Sequence, residues 1–95
     1  MPLPVLDDAQ LRTFLTDSQW MLDKGELVEI FEFKDFKSAI AFVNQVARLA
    51  EDANHHPDID VRYNKLRLSL VTHDAGGITE NDINLAKEID REFEK

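Results

Sequence analysis

Residues 59–71 read Ile-Asp-Val-Arg-Tyr-Asn-Lys-Leu-Arg-Leu-Ser-Leu-Val, and this stretch decides the fold. Apolar and polar side chains alternate on both sides of Asn64-Lys65, which is typical of two β-strands that each bury one face. If Asn64 and Lys65 form a two-residue turn, every opposed pair on the buried face is apolar. Those pairs are Tyr63 with Leu66, Val61 with Leu68 and Ile59 with Leu70. The stretch therefore predicts an antiparallel hairpin.

A long amphipathic helix precedes this hairpin, with Asp35 as a candidate N-cap. Its apolar positions recur at the spacing of one helical face and are Phe36, Ala39, Ile40, Val43, Val46, Ala47 and Ala50. The same period places Glu51 at the border of the apolar stripe rather than on the solvent side. Pro57 disfavours helical geometry at His56, so we expect the helix to end at or before the histidine pair His55-His56.

The remaining segments predict a hairpin and two further helices. Asp7 or Asp8 can cap a short helix that carries Leu11, Phe14 and Leu15, and the stretch from Trp20 to Phe33 predicts a hairpin around Asp23-Lys24-Gly25. Thr79, with Asp82 three residues later, opens a last amphipathic helix in a variant capping box. We therefore predict a single α+β domain over residues 1–95, with a four-stranded antiparallel sheet and three helices packed on one face, in the order α-β-β-α-β-β-α.

Composition excludes several classes of function. The formal net charge of −8, from 11 basic and 19 acidic residues, disfavours nucleic-acid binding as the primary role. The chain has no cysteine, which excludes a disulfide framework, a thiolate metal site and a cysteine nucleophile. No signal-like N-terminus or membrane-length apolar run is present, so we expect a cytoplasmic protein with no membrane partner.

The three histidines are the best candidates for chemistry, because imidazole both gives and takes protons near neutral pH. His55 and His56 stand at the helix exit, four and five residues after Glu51, and His73 follows the second hairpin. Counting the hairpin register outward sets His56 opposite His73, although Pro57 disfavours ideal pairing that far from the turn, so histidines distant in sequence are expected to line one site.

Plainer explanations exist for each of these features. A histidine at a helix C-terminus also interacts favourably with the helix dipole. Capping alone accounts for Asp82, and the Gly76-Gly77 pair lacks the lysine and the spacing of a phosphate-binding loop. A metal site is disfavoured because adjacent histidines in an extended chain point to opposite faces. Proton transfer onto a small molecule is the better interpretation.

The spacing of these residues resembles the signature of pterin-4a-carbinolamine dehydratases. The signature is Glu51, three residues, His55-His56-Pro57, five residues, Tyr63, nine residues, His73, eight residues, Asp82. The resemblance extends through Phe33-Lys34-Asp35-Phe36, Tyr63-Asn64-Lys65 and Asp82-Ile83-Asn84-Leu85-Ala86. It implies a lyase without cofactor or metal that dehydrates 4a-hydroxytetrahydropterin to quinonoid dihydropterin, with a functional link to aromatic amino acid hydroxylases.

The resemblance also implies roles for individual residues. His55 and His73 would transfer protons, His56 would hold the pterin, and Glu51 would orient or tune a histidine. The substrate would lie along Asn54-His55-His56 and Val71-Thr72-His73-Asp74, with Pro57, Tyr63 and Asp82 in supporting positions. Two residues depart from the family pattern: Ile59 stands where animal members carry tryptophan, and Asn54 stands where aspartate is common.

The resemblance leaves a second role open, because animal members also stabilise dimers of a homeodomain transcription factor. It further implies a homodimer or homotetramer in which sheets join edge to edge. The hairpin between Trp20 and Phe33 is the candidate edge, unless Glu29, Glu32 and Lys34 act as charged gatekeepers that keep the chain monomeric.

Overall fold

The computed structural model describes residues 3–95 and has the predicted order of elements. The helices are α1 (Asp8–Thr16), α2 (Phe36–Ala53) and α3 (Glu80–Glu94), with a short 3-10 helix at His73–Ala75. The strands are β1 (Met21–Asp23), β2 (Glu26–Glu32), β3 (Asp58–Arg62) and β4 (Lys65–Leu70). The strands form one antiparallel sheet in the order β1-β2-β4-β3. The predicted α+β class is confirmed.

The core lies between one face of the sheet and the helices. Its largest fully buried apolar side chains come from β2, β4, α2 and α3 and are Leu27, Leu66, Leu68, Leu70, Val46, Leu85 and Ile89. The apolar positions of β4 alternate with the more polar Arg67 and Ser69, as the sequence pattern predicts for a strand with one buried face.

Each long element begins where the sequence supplies a cap. Asp7 forms a capping box with Gln10, and the Asp35 carboxylate accepts the backbone N–H of Ser38 at 2.8 Å. That hydrogen bond lowers the pKa of the Asp35 carboxyl. Thr79 caps α3 through the backbone N–H of Asn81, and Asp82 accepts the N–H of Thr79.

The predicted register of the second hairpin is wrong by two positions. Val61 lies opposite Leu66 and Ile59 opposite Leu68, so the turn residues are Tyr63 and Asn64. Tyr63 adopts a positive φ of 55°. Asn64 donates its side-chain N–H to the Phe33 carbonyl at 2.8 Å and accepts the Phe33 N–H at 2.9 Å, which fastens the turn to the end of β2. A two-residue shift leaves the same face buried, so the alternation could not reveal it.

The predicted pairing of His56 with His73 is also wrong. The ladder between β3 and β4 ends at Asp58 opposite Ser69, and Thr72 forms an isolated bridge with Gly77 instead. Because Pro57 lacks an N–H and the chain after β4 turns into the 3-10 helix, the hairpin does not extend that far.

The buried face of α2 is rotated from the predicted stripe. Its buried residues are Ala39, Phe42, Val46 and Ala50, whereas Phe36, Ala47 and Glu51 are exposed. Phe42, which the predicted stripe omitted, packs against the rings of Phe31, Phe33 and Phe93. This aromatic cluster turns the helix so that Glu51 lies on the solvent side, contrary to its predicted position at the border of the stripe.

No helix within residues 3–95 combines the length and the apolar character that a membrane crossing requires.

Candidate active site

The end of α2 and the segment after β4 together form a cavity of about 260 Å³. All three histidines line it, and the complete lining is Asn54, His55, His56, Val71, Thr72, His73 and Asp74. These are the residues that the resemblance implies for substrate binding. The fold thus brings together side chains from two segments that are about 20 residues apart in sequence.

A Schellman motif at the end of α2 aims the histidine pair. Asn54 adopts the left-handed conformation, with a φ of 51°, and its N–H donates to the Glu51 carbonyl. The N–H of His55 donates to the Ala50 carbonyl at 3.1 Å, which completes the motif. Asparagine is one of the few residues that tolerate this conformation. The following Pro57 is buried and prevents the helix from continuing.

His55 is paired with a fully buried carboxylate. Its Nε2 lies 2.5 Å from Oδ1 of Asp82, and the exposed fractions of the two side chains are 12% and 0%. The other oxygen, Oδ2, accepts the Thr72 hydroxyl at 2.8 Å and the Thr79 N–H at 2.9 Å. Asp82 also stands in the first turn of α3, where the helix dipole favours negative charge. Because Asp82 accepts from Nε2 of the neutral ring, Nδ1 is left as its basic nitrogen.

His56 is paired with a carboxylate in a different environment. Its Nε2 lies 2.6 Å from Oε2 of Glu51, but the two side chains are 58% and 76% exposed. Glu51 therefore contacts a histidine, as the resemblance implies, and that histidine is His56. A pair this exposed is screened by water and holds the ring only weakly.

His73 lines the cavity from the 3-10 helix after β4. The ring is exposed and has no hydrogen-bond partner among the side chains and backbone of residues 3–95. It is therefore free to bind a ligand or exchange a proton.

Two residues of the signature region lie elsewhere. Tyr63 is exposed at the turn between β3 and β4, and Ile59 is partly exposed on β3; neither lines the cavity. Thr79, which sequence reasoning treated only as a cap, contacts both Thr72 and Asp82. In the sequence, the capping pattern that pairs Thr79 with Asp82 was the one signal that could have linked Thr79 to the site.

A larger cavity of about 560 Å³ lies between α1 and α3, but none of its lining residues is a histidine. Among residues 3–95, no group of three histidine, aspartate or glutamate side chains is placed to hold a metal ion. The residues suited to proton transfer are concentrated in the smaller cavity.

Two neighbouring carboxyl groups, Glu29 of β2 and Asp90 of α3, lie outside the lining of the histidine cavity. Asp90 of α3 accepts the indole N–H of Trp20 at 3.1 Å and neighbours Glu29 of β2, which is 8% exposed. Burial, together with the hydrogen bond and charge of Asp90, raises the pKa of Glu29 to about 8. Glu29 therefore carries a proton at neutral pH.

Comparison with known proteins identifies the family. Residues 4–92 match the family model described as pterin 4 alpha carbinolamine dehydratase. The chain belongs to this family. A Chloroflexus aurantiacus protein provisionally named pterin-4-alpha-carbinolamine dehydratase is 52% identical over 89 residues, which cover 93% of this chain and 96% of the relative. An Acidobacterium capsulatum protein with the same provisional name is 59% identical over 71 residues, covering 75% of this chain and 77% of the relative.

Solved structures agree with the pterin dehydratase family fold. The crystal structure of a transcriptional coactivator/pterin dehydratase from Brucella melitensis superposes with a TM-score of 0.87 at 31% identity, covering 92% of this chain and 96% of that one. A pterin dehydratase-like RuBisCO assembly factor of the alpha-carboxysome shares the fold, with a TM-score of 0.65 at 23% identity over 79% of this chain and 89% of that one.

Proposed function

We propose that this member of the pterin dehydratase family dehydrates 4a-hydroxytetrahydropterin to quinonoid dihydropterin by histidine general acid/base catalysis. The C4a–O bond breaks and the hydroxyl leaves as water after it receives a proton. N5 loses its proton, and the electron pair of the N–H bond forms the C4a=N5 double bond. The reaction is redox-neutral, so paired proton donors and acceptors suffice.

The observation that carries this proposal is the cavity lined by three histidines, of which His55 and His56 are each paired with a different carboxylate and His73 is unpaired within residues 3–95. His55 and His73 line the cavity from two different segments, the end of α2 and the 3-10 helix after β4, and are assigned as the proton-transfer pair. The neutral His55 ring, with Nε2 bound to Asp82, offers Nδ1 as a base, and the unpartnered His73 ring serves equally well as an acid in its protonated form. The two histidines exchange roles if the hydroxyl leaves from the other face of the pterin.

His56 is assigned to holding the substrate, and Glu51 to orienting or tuning His56. Their mutual contact is exposed, and His56 lines the cavity whereas Glu51 does not, so His56 can meet a polar heterocycle without a large desolvation cost. Asn54, Val71 and Asp74 complete the walls. The departure at Asn54 therefore bears on pterin affinity, whereas Ile59 lies outside the cavity lining.

Dehydration of a synthetic carbinolamine by the purified protein tests this function. We expect catalysis without added metal and without sensitivity to chelators. His55→Ala and His73→Ala should each lower the rate by up to about 10²–10⁴-fold, with partial mutual substitution, and the double variant should lose far more than either single variant. Parental turnover by the double variant refutes the assignment, and loss of activity on chelation with recovery on zinc addition indicates a metal site.

The biological setting we propose is recycling of a pterin cofactor, with an aromatic amino acid hydroxylase as the functional partner. The family supports pterin chemistry in general, and gene neighbourhood is the direct test of which pathway uses it. A neighbouring hydroxylase gene supports cofactor recycling. Neighbouring genes from another pterin pathway contradict recycling and indicate that pathway instead.

A binding role is the second candidate, favoured by the coactivator part of the Brucella protein's name and by an apolar surface on α2. Phe36 is half exposed there, and Ile40 and Val43 are only partly covered. A protein that lacks dehydratase activity but forms a complex through α2 would support this role. Dehydratase activity that survives Phe36→Ser would show that the apolar surface is separate from the catalytic function.

We further propose self-association through the sheet edge at β1. This strand is short and exposed, and it covers only Glu26 to Val28 of β2, which leaves the rest of that side of β2 without a neighbouring strand in residues 3–95. Glu29 is buried and is a poor gatekeeper for that open side, so Glu32 and Lys34 are the exposed charges that would oppose association. Light scattering should give two or four times the 10.9 kDa chain mass, and a single-chain mass refutes association.

A further inference from the structure

The hydroxyl of Thr72 belongs to a hydrogen-bond chain that has a defined direction. Thr72 Oγ1 lies 2.8 Å from Asp82 Oδ2 and 2.8 Å from Thr79 Oγ1. A carboxylate only accepts, so the single hydroxyl proton of Thr72 is donated to Asp82. The Thr79 hydroxyl must then donate to Thr72 while it accepts the backbone N–H of Asn81 at 3.2 Å.

This chain runs from the start of α3 to the histidine. In order, Asn81 N–H donates to Thr79, Thr79 to Thr72, Thr72 to Asp82, and Asp82 accepts the Nε2 proton of His55 at its other oxygen. The carboxylate of Asp82 is fully buried, so no water can replace a missing donor. Hydrogen bonds linked in this way also polarise one another.

We propose that Thr72 is a positioning residue that acts through Asp82 on His55, rather than a group that binds the pterin through its hydroxyl. The inference deepens the proposed dehydratase function and rests on it for its kinetic consequences. With Oδ2 held by Thr72 and Thr79, the carboxylate plane is fixed and Oδ1 faces the ring. His55 is thereby restricted to the tautomer with the proton on Nε2, and Nδ1 is its reactive nitrogen.

The location of Thr72 makes this role distinct from simple lining of the cavity. Its backbone pairs with Gly77, and its N–H donates to the Gly77 carbonyl at 3.0 Å, so the residue is held between the end of β4 and the start of α3. Its neighbour His73 keeps a free ring. The two adjacent residues therefore have different roles: His73 is available to the ligand, and Thr72 bonds to the carboxylate of Asp82.

Thr72→Val is the decisive variant, because it keeps the shape and removes the donor. We expect kcat to fall about tenfold or more with KM changed less than about twofold, as for a group that acts on proton transfer rather than on ground-state binding. Thr72→Ser retains the hydroxyl and should restore most of kcat. Thr16→Val, an exposed threonine of α1 remote from the site, is the matched control and should leave both constants unchanged.

Nuclear magnetic resonance of the ring nitrogens tests the chain without substrate. At a pH where His55 is neutral, wild type and Thr72→Ser should show an Nε2-protonated ring with a slowly exchanging proton, and Thr72→Val should show faster exchange.

A raised KM with unchanged kcat, or no kinetic change in Thr72→Val, overturns the inference. If Thr72→Val does not fold, the wild-type spectrum still decides, because a neutral His55 protonated on Nδ1 excludes the proposed chain. Absence of dehydratase activity in wild type would refute the proposed function but leave this spectroscopic test intact.

Discussion

His55 and His56 are adjacent in sequence, and each contacts a carboxylate through Nε2 at nearly the same distance, 2.5 Å and 2.6 Å. The first pair is buried and joined to two threonines, whereas the second is largely exposed to water. Coulomb attraction at a fixed distance is several times stronger in a protein interior than in water, and the loss of one buried partner leaves the other unsatisfied. Nearly equal distances therefore do not imply equal contributions, and the ring of His55 is held more firmly than the ring of His56.

The largest effect is expected from Asp82→Asn, which reverses the buried pair. The amide oxygen would still accept from Thr72 and Thr79, so the amide N–H₂ would face His55 and favour the opposite tautomer. We expect kcat to fall by roughly 10²-fold or more. Asparagine also serves as a helix-capping residue, so thermal melting followed by circular dichroism should show a folded protein. Wild-type kcat in this variant would contradict the tautomer assignment.

An effect on stability rather than on rate is expected from the buried carboxyl of Glu29, which has no salt-bridge partner within residues 3–95. The pKa of this carboxyl is about 8 in the folded chain against 4.5 in the unfolded one, so between these values only the folded state keeps the proton. The contribution of Glu29 to the free energy of unfolding is complete below about pH 4.5. It falls by about 1.4 kcal/mol per pH unit as the pH rises to about 8. Urea unfolding at several pH values measures the slope.

Glu29→Gln should flatten this slope, because the amide stays neutral and can still donate to Asp90. Glu32→Gln, on the same strand but exposed, is the matched control and should keep the wild-type slope. An unchanged slope in Glu29→Gln would show that the buried carboxyl is not responsible for the pH dependence.

The smallest effect is expected from Glu51→Gln, which disrupts the exposed pair. Because water screens this pair, the free energy of unfolding should change by less than about 0.5 kcal/mol. Glu51 tunes or orients His56 only, so KM should rise by a few-fold at most and kcat should stay close to wild type. A loss of kcat comparable to that of Asp82→Asn would contradict the conclusion that the exposed pair contributes less than the buried pair.

The two hairpins show what the alternation of apolar and polar residues can predict and what it cannot. Alternation predicted both hairpins, but the register of the second differs by two residues because Asn64 is used to fasten the turn to Phe33. No local rule makes this choice, since both registers bury the same face. The local pattern of α2 likewise could not show which face of the helix is buried. That face depends on Phe42, which joins an aromatic cluster with residues of β2 and α3.

The sequence by itself determined the order of elements, the helix caps and the spacing of the histidine signature, because periodicity, capping chemistry and proline are local properties of the chain. Only the tertiary structure decided which carboxylate belongs to which histidine. The resemblance implied that Glu51 orients or tunes a histidine without saying which one; His55 bonds to Asp82, 27 residues away, and Glu51 to His56. The left-handed turn at Asn54 and the packing of α3 against α2 make that choice, and both depend on where the core lies.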